Sequence, residues 1–446
     1  MSVETAKSPS ATDIPDAFAF VEASNGVEAY RHTANDLQVL VLPKAAAPVV
    51  TFMVTYHVGS RNEQTGLTGA THILEHLMFK GTERFHKQKG TSIFEMLQSV
   101  GARVNASTWF DRTNYYEMLP KEHLPMAVEI EADRMRGALI DPTDLESERN
   151  VILNEYDRGK NDPTRNLFDA VWASAFVAHP YHHPTIGWRS DIETVTAEDL
   201  RRFYDTYYWP NNATVSVIGD VDRGEALALV DDHFGAIEPA PEPIPEMTTR
   251  EPEQRGERRV VVRQEGQLGA VMMGYKSPHG LDTDTDALDV LARVLASGKG
   301  SRFFRRLTDQ GLTTDVFAMS PRLRDPALFA FFGFLAPEQE HEAVEAAMDE
   351  AIADVKDNGV TDEEVQRAKN QLIAKEAYGR DSPFTIAAQL NEAIAAGDWR
   401  LYTTYLDRID AVTPADVQRV AQTYLVKEKR TVGYYVPERE SVTRDS

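Results

Sequence analysis

Two apolar, β-branched runs, Leu37–Pro43 (LQVLVLP) and Val49–Tyr56 (VVTFMVTY), flank a Lys/Ala/Pro turn and predict neighbouring strands. Apolar positions then recur every three to four residues, which predicts helices over 66–80, 93–100 and 122–138. A strand pair is expected around Ala102–Asn105 and Thr113–Leu119. Helical spacing returns at 144–158, 165–178 and 197–207, and Ala213–Gly219 (ATVSVIG) predicts another strand. Pro239, Pro241, Pro243, Pro245 and Pro252 follow, a density that no helix or central strand tolerates. Residues 239–257 therefore predict an extended linker, with a new strand near Arg259–Arg263.

The segment VTAEDLRRFYDTYYWPNNATV from Val195 is echoed by VTPADVQRVAQTYLVKEKRTV from Val412, an offset of 217 residues. Each copy reads as a helix capped by Thr196 or Thr413 and running into a strand. A fainter echo pairs Thr143, Asp144 and Arg149 with Thr361, Asp362 and Arg367. The expected fold class is α+β. Two homologous domains, 17–238 and 258–440, would each be a mostly antiparallel sheet with helices on one face.

The 446 residues suit two domains, and 42% apolar with 26% charged residues is ordinary globular composition. Lys+Arg 47 against Asp+Glu 70 leaves −23, which argues against nucleic acid or anionic lipid as a partner. Cysteine is absent, so disulfides and thiolate chemistry are excluded and any metal must sit on histidine and carboxylate. No run approaches the 18 or so apolar residues of a membrane span, and the first residues lack a basic, then apolar, leader pattern. The expected compartment is the cytoplasm, or the periplasm if a leader has been removed.

His72-Ile73-Leu74-Glu75-His76 lies in a helical segment. Histidines at i and i+4 project from one helix face, a separation that suits two ligands of one zinc ion. Glu75 flanks that face and can reach water beside a metal. A catalytic zinc needs a third protein ligand. The helical run ESERNVILNEYDR offers Glu148 and Glu155, two turns apart on a shared face. One could bind the metal while the other orients an imidazole, and spacing does not choose between them. His179, His182 and His183 in HPYHHP read as a loop rim between Pro180 and Pro184.

The chain resembles the pitrilysin/insulinase-type metallopeptidases, in the short branch that includes mitochondrial processing peptidase. The resemblance is carried by VGSRNE (58–63), TGATHILEHLMFKGT (68–82), GARVNASTWFDRTNYYEMLP (101–120), ERNVILNE (148–155), HPYHHPTIG (179–187) and YYWPNNATVSVIGDVD (207–222). It implies Zn2+ held by His72, His76 and Glu155, with Glu148 supporting a ligand and Glu75 as general base. It also implies that peptide lies extended along the strand carrying Asn105 and Ala106. One departure stands out. The family's second-half Arg and Tyr, which reach the active site from the opposing half of the assembly, fall on Leu307 and Thr314. The expectation is a zinc endopeptidase cleaving unfolded peptides in a closed chamber, paired with a homologous subunit that supplies the Arg/Tyr pair. The alternative is a non-catalytic scaffold of the same fold.

Overall fold

In a computed structural model, which describes residues 14–438, the contacts divide the chain into two compact units. The first draws on residues up to 154 together with 184–248 and 378–403. The second draws on 155–183, 249–377 and residues from 404 onward. The early elements run β1 (Phe18–Ser24), β2 (Val27–His32), β3 (Gln38–Pro43), β4 (Val49–Tyr56), α1 (Ala70–Leu77), α2 (Ile93–Ser99), β5 (Arg103–Thr108) and β6 (Thr113–Pro120). Next come α3 (Leu124–Gly137), α4 (Pro142–Gly159), α5 (Pro163–Ala175), α6 (Arg189–Thr194), α7 (Ala197–Tyr207), β7 (Ala213–Gly219) and α8 (Arg223–Phe234). Beyond the linker lie β8 (Arg258–Glu265), β9 (Ala270–Lys276), α9 (Thr283–Ala296), β10 (Thr313–Met319), β11 (Leu328–Leu335) and α10 (His341–Asn358). The chain closes with α11 (Asp362–Gly379), α12 (Pro383–Ala396), α13 (Arg400–Ala411), α14 (Pro414–Tyr424) and β12 (Arg430–Glu438).

The first unit holds a seven-stranded sheet ordered β1-β2-β3-β7-β4-β6-β5. Only β3 and β7 pair in parallel, because β7 returns to the sheet after a long helical excursion. Strand β5 ends the sheet and pairs with β6 alone. The second unit holds a five-stranded sheet, β10-β11-β9-β12-β8, with one parallel pair, β12 with β8. Both are mixed sheets with packed helices, so the α+β class stands as read. Strands β1 and β2 had no counterpart in the expectation. In β1 the sequence FAFVEAS leaves Phe20 and Val21 exposed, so its apolar positions do not mark one buried face.

The second face of each sheet is covered too, by a helix from the other half of the chain. Seven of the eight β4 residues and all seven of β7 are buried, which requires cover on both faces. On one face Phe52 packs on Phe234 of α8, and Tyr56 on Tyr208. The other face receives α12, where the Thr55 hydroxyl donates to Asn391 Oδ1 at 2.9 Å and Tyr116 meets Phe384. In the second unit α5 plays this part. Val171 and Leu167 press on Gly433, where a Cβ would lie 2.4 Å and 2.8 Å from their methyl carbons. Each exchanged helix comes from the other half of the chain. The compact units are therefore discontinuous in sequence, because each second sheet face takes its apolar cover from the other half of the chain.

The repeat seen in the sequence has matching local structure. Thr196 and Thr413 each accept from the backbone N–H three residues on, and Asp199 and Asp416 bond back, so α7 and α14 start with the same reciprocal cap. Residues 239–257 contain neither helix nor strand.

Candidate active site

Helix α1 exists because Ala70, Ile73, Leu74 and Leu77 form a buried stripe, leaving His72, Glu75 and His76 half-buried on its other side. Two carboxylates set its start. Glu63 accepts from the Gly69 and Thr71 backbone N–H groups, both at 2.8 Å. Asp191 accepts from Gly66 N, Thr68 N and the Thr68 hydroxyl at 3.1, 3.1 and 2.7 Å. Against the raising effect of partial burial, its bonds from Thr68 hold the Asp191 carboxyl below its ordinary range, so it adds negative charge near the helix N-terminus. Burial pushes the Glu63 carboxyl up to about 8, against the lowering effect of the Thr71 and Gly69 bonds. Gly69 has φ +85°, and a Cβ there would sit 2.4 Å from the Ile186 carbonyl oxygen, so only glycine fits this turn.

The imidazoles of His72 and His76 stand 4.8 Å apart, ring to ring, in an edge-on arrangement. Helix α4 runs unbroken from Pro142 to Gly159 and carries both glutamates. Leu145 and Ile152 are its buried residues, and Arg149 ties it to the Ile192 and Val195 carbonyls. His72, His76 and Glu155 each offer a ligand atom, and these atoms lie within 4.8 Å of one another. Among the described residues this is the only group of three or more such side chains with that geometry. Two imidazole nitrogens and a carboxylate oxygen suit zinc in chemistry. Tetrahedral ligand atoms about 2.0–2.2 Å from an ion lie about 3.3–3.6 Å from each other, a spacing inside that limit.

Glu148 stands one layer back. Its Oε2 is 2.9 Å from His76 Nδ1, and Lys80 pairs with its other oxygen. The hydrogen bond from His76 leads the causes that push the Glu148 carboxyl down to about 2, with Lys80 adding to it. An ionised Glu148 favours the His76 tautomer that carries its proton on Nδ1, which would make Nε2 the nitrogen able to ligate a metal. The alternatives left open by spacing thus separate in space: Glu155 lies with the histidines and Glu148 on the far nitrogen of one of them.

Asn105 and Ala106 lie on the terminal strand β5, Asn105 exposed and Ala106 buried. Ala106 pairs with Tyr115 and Asn105 with Tyr116, so strand alternation turns the Asn105 side chain to the α12 face, opposite Ala106. Leu307 is buried in the core of the second unit, within a π-helical turn at Phe304–Thr308, and Thr314 is exposed on β10. Nearby arginines are engaged within that unit: Arg305 holds the Gly300 carbonyl at 2.6 Å, and Arg306 meets Asp354 at 3.4 Å and Glu350 at 3.7 Å. His179 pairs with Asp325 at 3.1 Å and accepts from Tyr181 N, a loop role. Two side chains escaped sequence reasoning, Lys80 on Glu148 and Thr108, whose hydroxyl donates to Glu75 Oε2 at 2.5 Å. Lys80 lies four residues after His76, a helical spacing that could have flagged it.

This fold, and a two-histidine, one-glutamate cluster built from a His-x-x-Glu-His helix and Glu155 of α4, define a class that comparison makes specific. "Insulinase (Peptidase family M16)" matches residues 38–188, and "Peptidase M16 inactive domain" matches residues 194–372. The chain belongs to peptidase family M16. It is 31% identical over 408 residues to the zinc protease PqqE of Helicobacter pylori, covering 90% of this chain and 91% of that one. An uncharacterized zinc protease of Streptomyces coelicolor is 29% identical over 413 residues, 91% and 89% of the two chains. The crystal structure of a protease from Helicobacter pylori superposes with a TM-score of 0.87 at 30% identity, covering 92% of this chain and 99% of that one. No helix among the described residues is long and apolar enough to cross a membrane.

Proposed function

We propose that this chain is a zinc-dependent endopeptidase acting on unfolded peptides, and that it is the zinc-bearing member of a heteromer. The single observation that supports the reading is that His72, His76 and Glu155 offer ligand atoms within 4.8 Å of one another, with Glu75 on the same helix as the two histidines. A zinc ion held by that trio would supply Lewis acidity, making water acidic near neutral pH and polarising a peptide carbonyl. Glu75 takes a proton from the attacking water and returns it to the leaving amine. Glu148 keeps His76 in the tautomer that ligates. The peptide adds to the open edge of β5 beside Asn105 and Ala106, held by main-chain hydrogen bonds, which favours extended, unfolded substrates.

Leu307 and Thr314 offer no guanidinium or phenol, and Arg305 and Arg306 are committed elsewhere, which supports a partner subunit that brings an Arg/Tyr pair into a shared chamber. Descent from two homologous domains, 17–238 and 258–440, belongs to the same reading, as does a cytoplasmic or, after leader removal, periplasmic home. The test is metal analysis and cleavage of an internally quenched peptide, with this chain alone and with the homologous chain that co-purifies. One zinc per chain, cleavage only in the pair, and a zinc-bound but inactive Glu75→Gln variant are expected. Full activity of the chain alone removes the heteromer; a metal-free chain removes the peptidase.

A further inference from the structure

Glu75 sits between the two histidines in sequence and half-buried beside them on α1. A carboxylate so placed has two options near a divalent ion. It can stay back and handle protons, or it can turn onto the ion and fill the coordination position that substrate and water need. Helix geometry alone does not decide, because Glu75 keeps rotamer freedom about its own side chain. Something outside α1 must hold it.

The candidate is Thr108, the last residue of β5. Its Oγ1 lies 2.5 Å from Glu75 Oε2, the distance of a strong hydroxyl-to-carboxylate bond. The position of the hydroxyl is itself well determined. Thr108 pairs with Thr113 across β5 and β6, and the Thr113 hydroxyl donates to the Val58 carbonyl at 2.9 Å. The next residue is also tied down, since Trp109 N donates to the Arg112 carbonyl and the Trp109 carbonyl accepts from Ser60 N. Thr108 is β-branched, so its χ1 is restricted and its hydroxyl direction follows the strand. Strand alternation gives it the Ala106 side of the sheet, opposite Asn105.

We infer that Thr108 is a positioning residue that tethers the Glu75 carboxylate, keeping it beside the His72–His76–Glu155 donor trio and out of it. The inference rests on the peptidase reading for Glu75's role, and it adds a residue that reading did not include. It also links substrate to base: the strand that receives the peptide is the strand that holds the general base, so seating a peptide on β5 sets the base and the scissile bond in one frame.

The test uses the full chain with cobalt(II) as a spectroscopic probe, in wild type, Thr108→Val, Thr108→Ala and Thr108→Ser. Valine keeps the shape and removes the hydroxyl; serine keeps the hydroxyl; alanine guards against crowding by the valine methyls. In T108V and T108A, Glu75 turns onto the metal, so the visible cobalt bands change and cobalt is held severalfold more tightly. T108S matches wild type. Unaltered bands and affinity in T108V and T108A overturn the inference, and so does an equal change in T108S. On the quenched peptide with the partner present, kcat of T108V falls about tenfold or more with KM within about twofold, as expected for a displaced general base. Glu75→Gln runs alongside: full cleavage by E75Q ends the peptidase reading, while the cobalt spectra judge the tether separately.

Discussion

Arg134→Met probes the charged cluster beneath the candidate site. Arg134 of α3 is fully buried. Its Nε donates to Glu131 Oε2 at 2.9 Å and a second nitrogen holds Glu131 Oε1, while Glu117 Oε1 lies 3.6 Å away. The guanidinium also lies over the Tyr115 and Phe79 rings, at 4.3 and 4.8 Å. Glu117 and Glu131 are both wholly buried, so one guanidinium faces two carboxyls. Burial comes first, then the negative charge of Glu131, in pushing the Glu117 carboxyl well above its ordinary range, so the pair keeps one proton in the folded state. Methionine preserves bulk but strands the Glu131 charge, at a cost of about 3–5 kcal/mol. At about 2–4 °C per kcal/mol for a unit this large, the melting temperature falls by about 6–20 °C. Adding Glu131→Gln to R134M recovers much of the loss, because the uncompensated charge leaves with it. Glu117→Gln, which mimics the protonated acid, is neutral or stabilising. The sign of the pH effect follows from linkage. The native state holds a proton that the unfolded chain releases above about pH 4.5. Wild type therefore loses stability relative to E117Q as pH rises from there, by up to about 1.4 kcal/mol per pH unit. Urea unfolding of the three variants between pH 5 and 8 reads all of this. An R134M protein within about 1 kcal/mol of wild type, or a wild type–E117Q difference flat across that range, would refute the reasoning.

Glu148→Ala removes the partner of His76 Nδ1 and should weaken zinc about 10–100-fold in chelator competition; unchanged affinity contradicts a ligand-orienting role. Thr196→Ala and Thr413→Ala each lose a reciprocal helix cap and should cost about 1 kcal/mol by urea denaturation, equally in the two copies. Gly69→Ala drives a Cβ against the Ile186 carbonyl from a left-handed backbone, and a drop of about 1–3 kcal/mol is expected; a melting curve like wild type would show that this turn can yield.

Much of this protein was legible in one dimension wherever the information is local. The i, i+4 histidines lie on α1, the Thr196 and Thr413 caps start their helices, and the proline run after Ile237 is neither helix nor strand, because each depends on neighbours within a few residues. Spacing could also say that Glu148 and Glu155 share a face of α4. It could not say which glutamate meets the histidines, since that depends on where two helices cross. Only the tertiary structure put Glu155 within 4.8 Å of both ligand atoms and Glu148 on His76 Nδ1. The same limit hid Thr108, 33 residues from Glu75, and the exchange of α5 and α12 between the sheets. Periodicity records that a helix has an apolar face. Which sheet buries that face is decided by packing, where surfaces far apart in the chain compete to leave water.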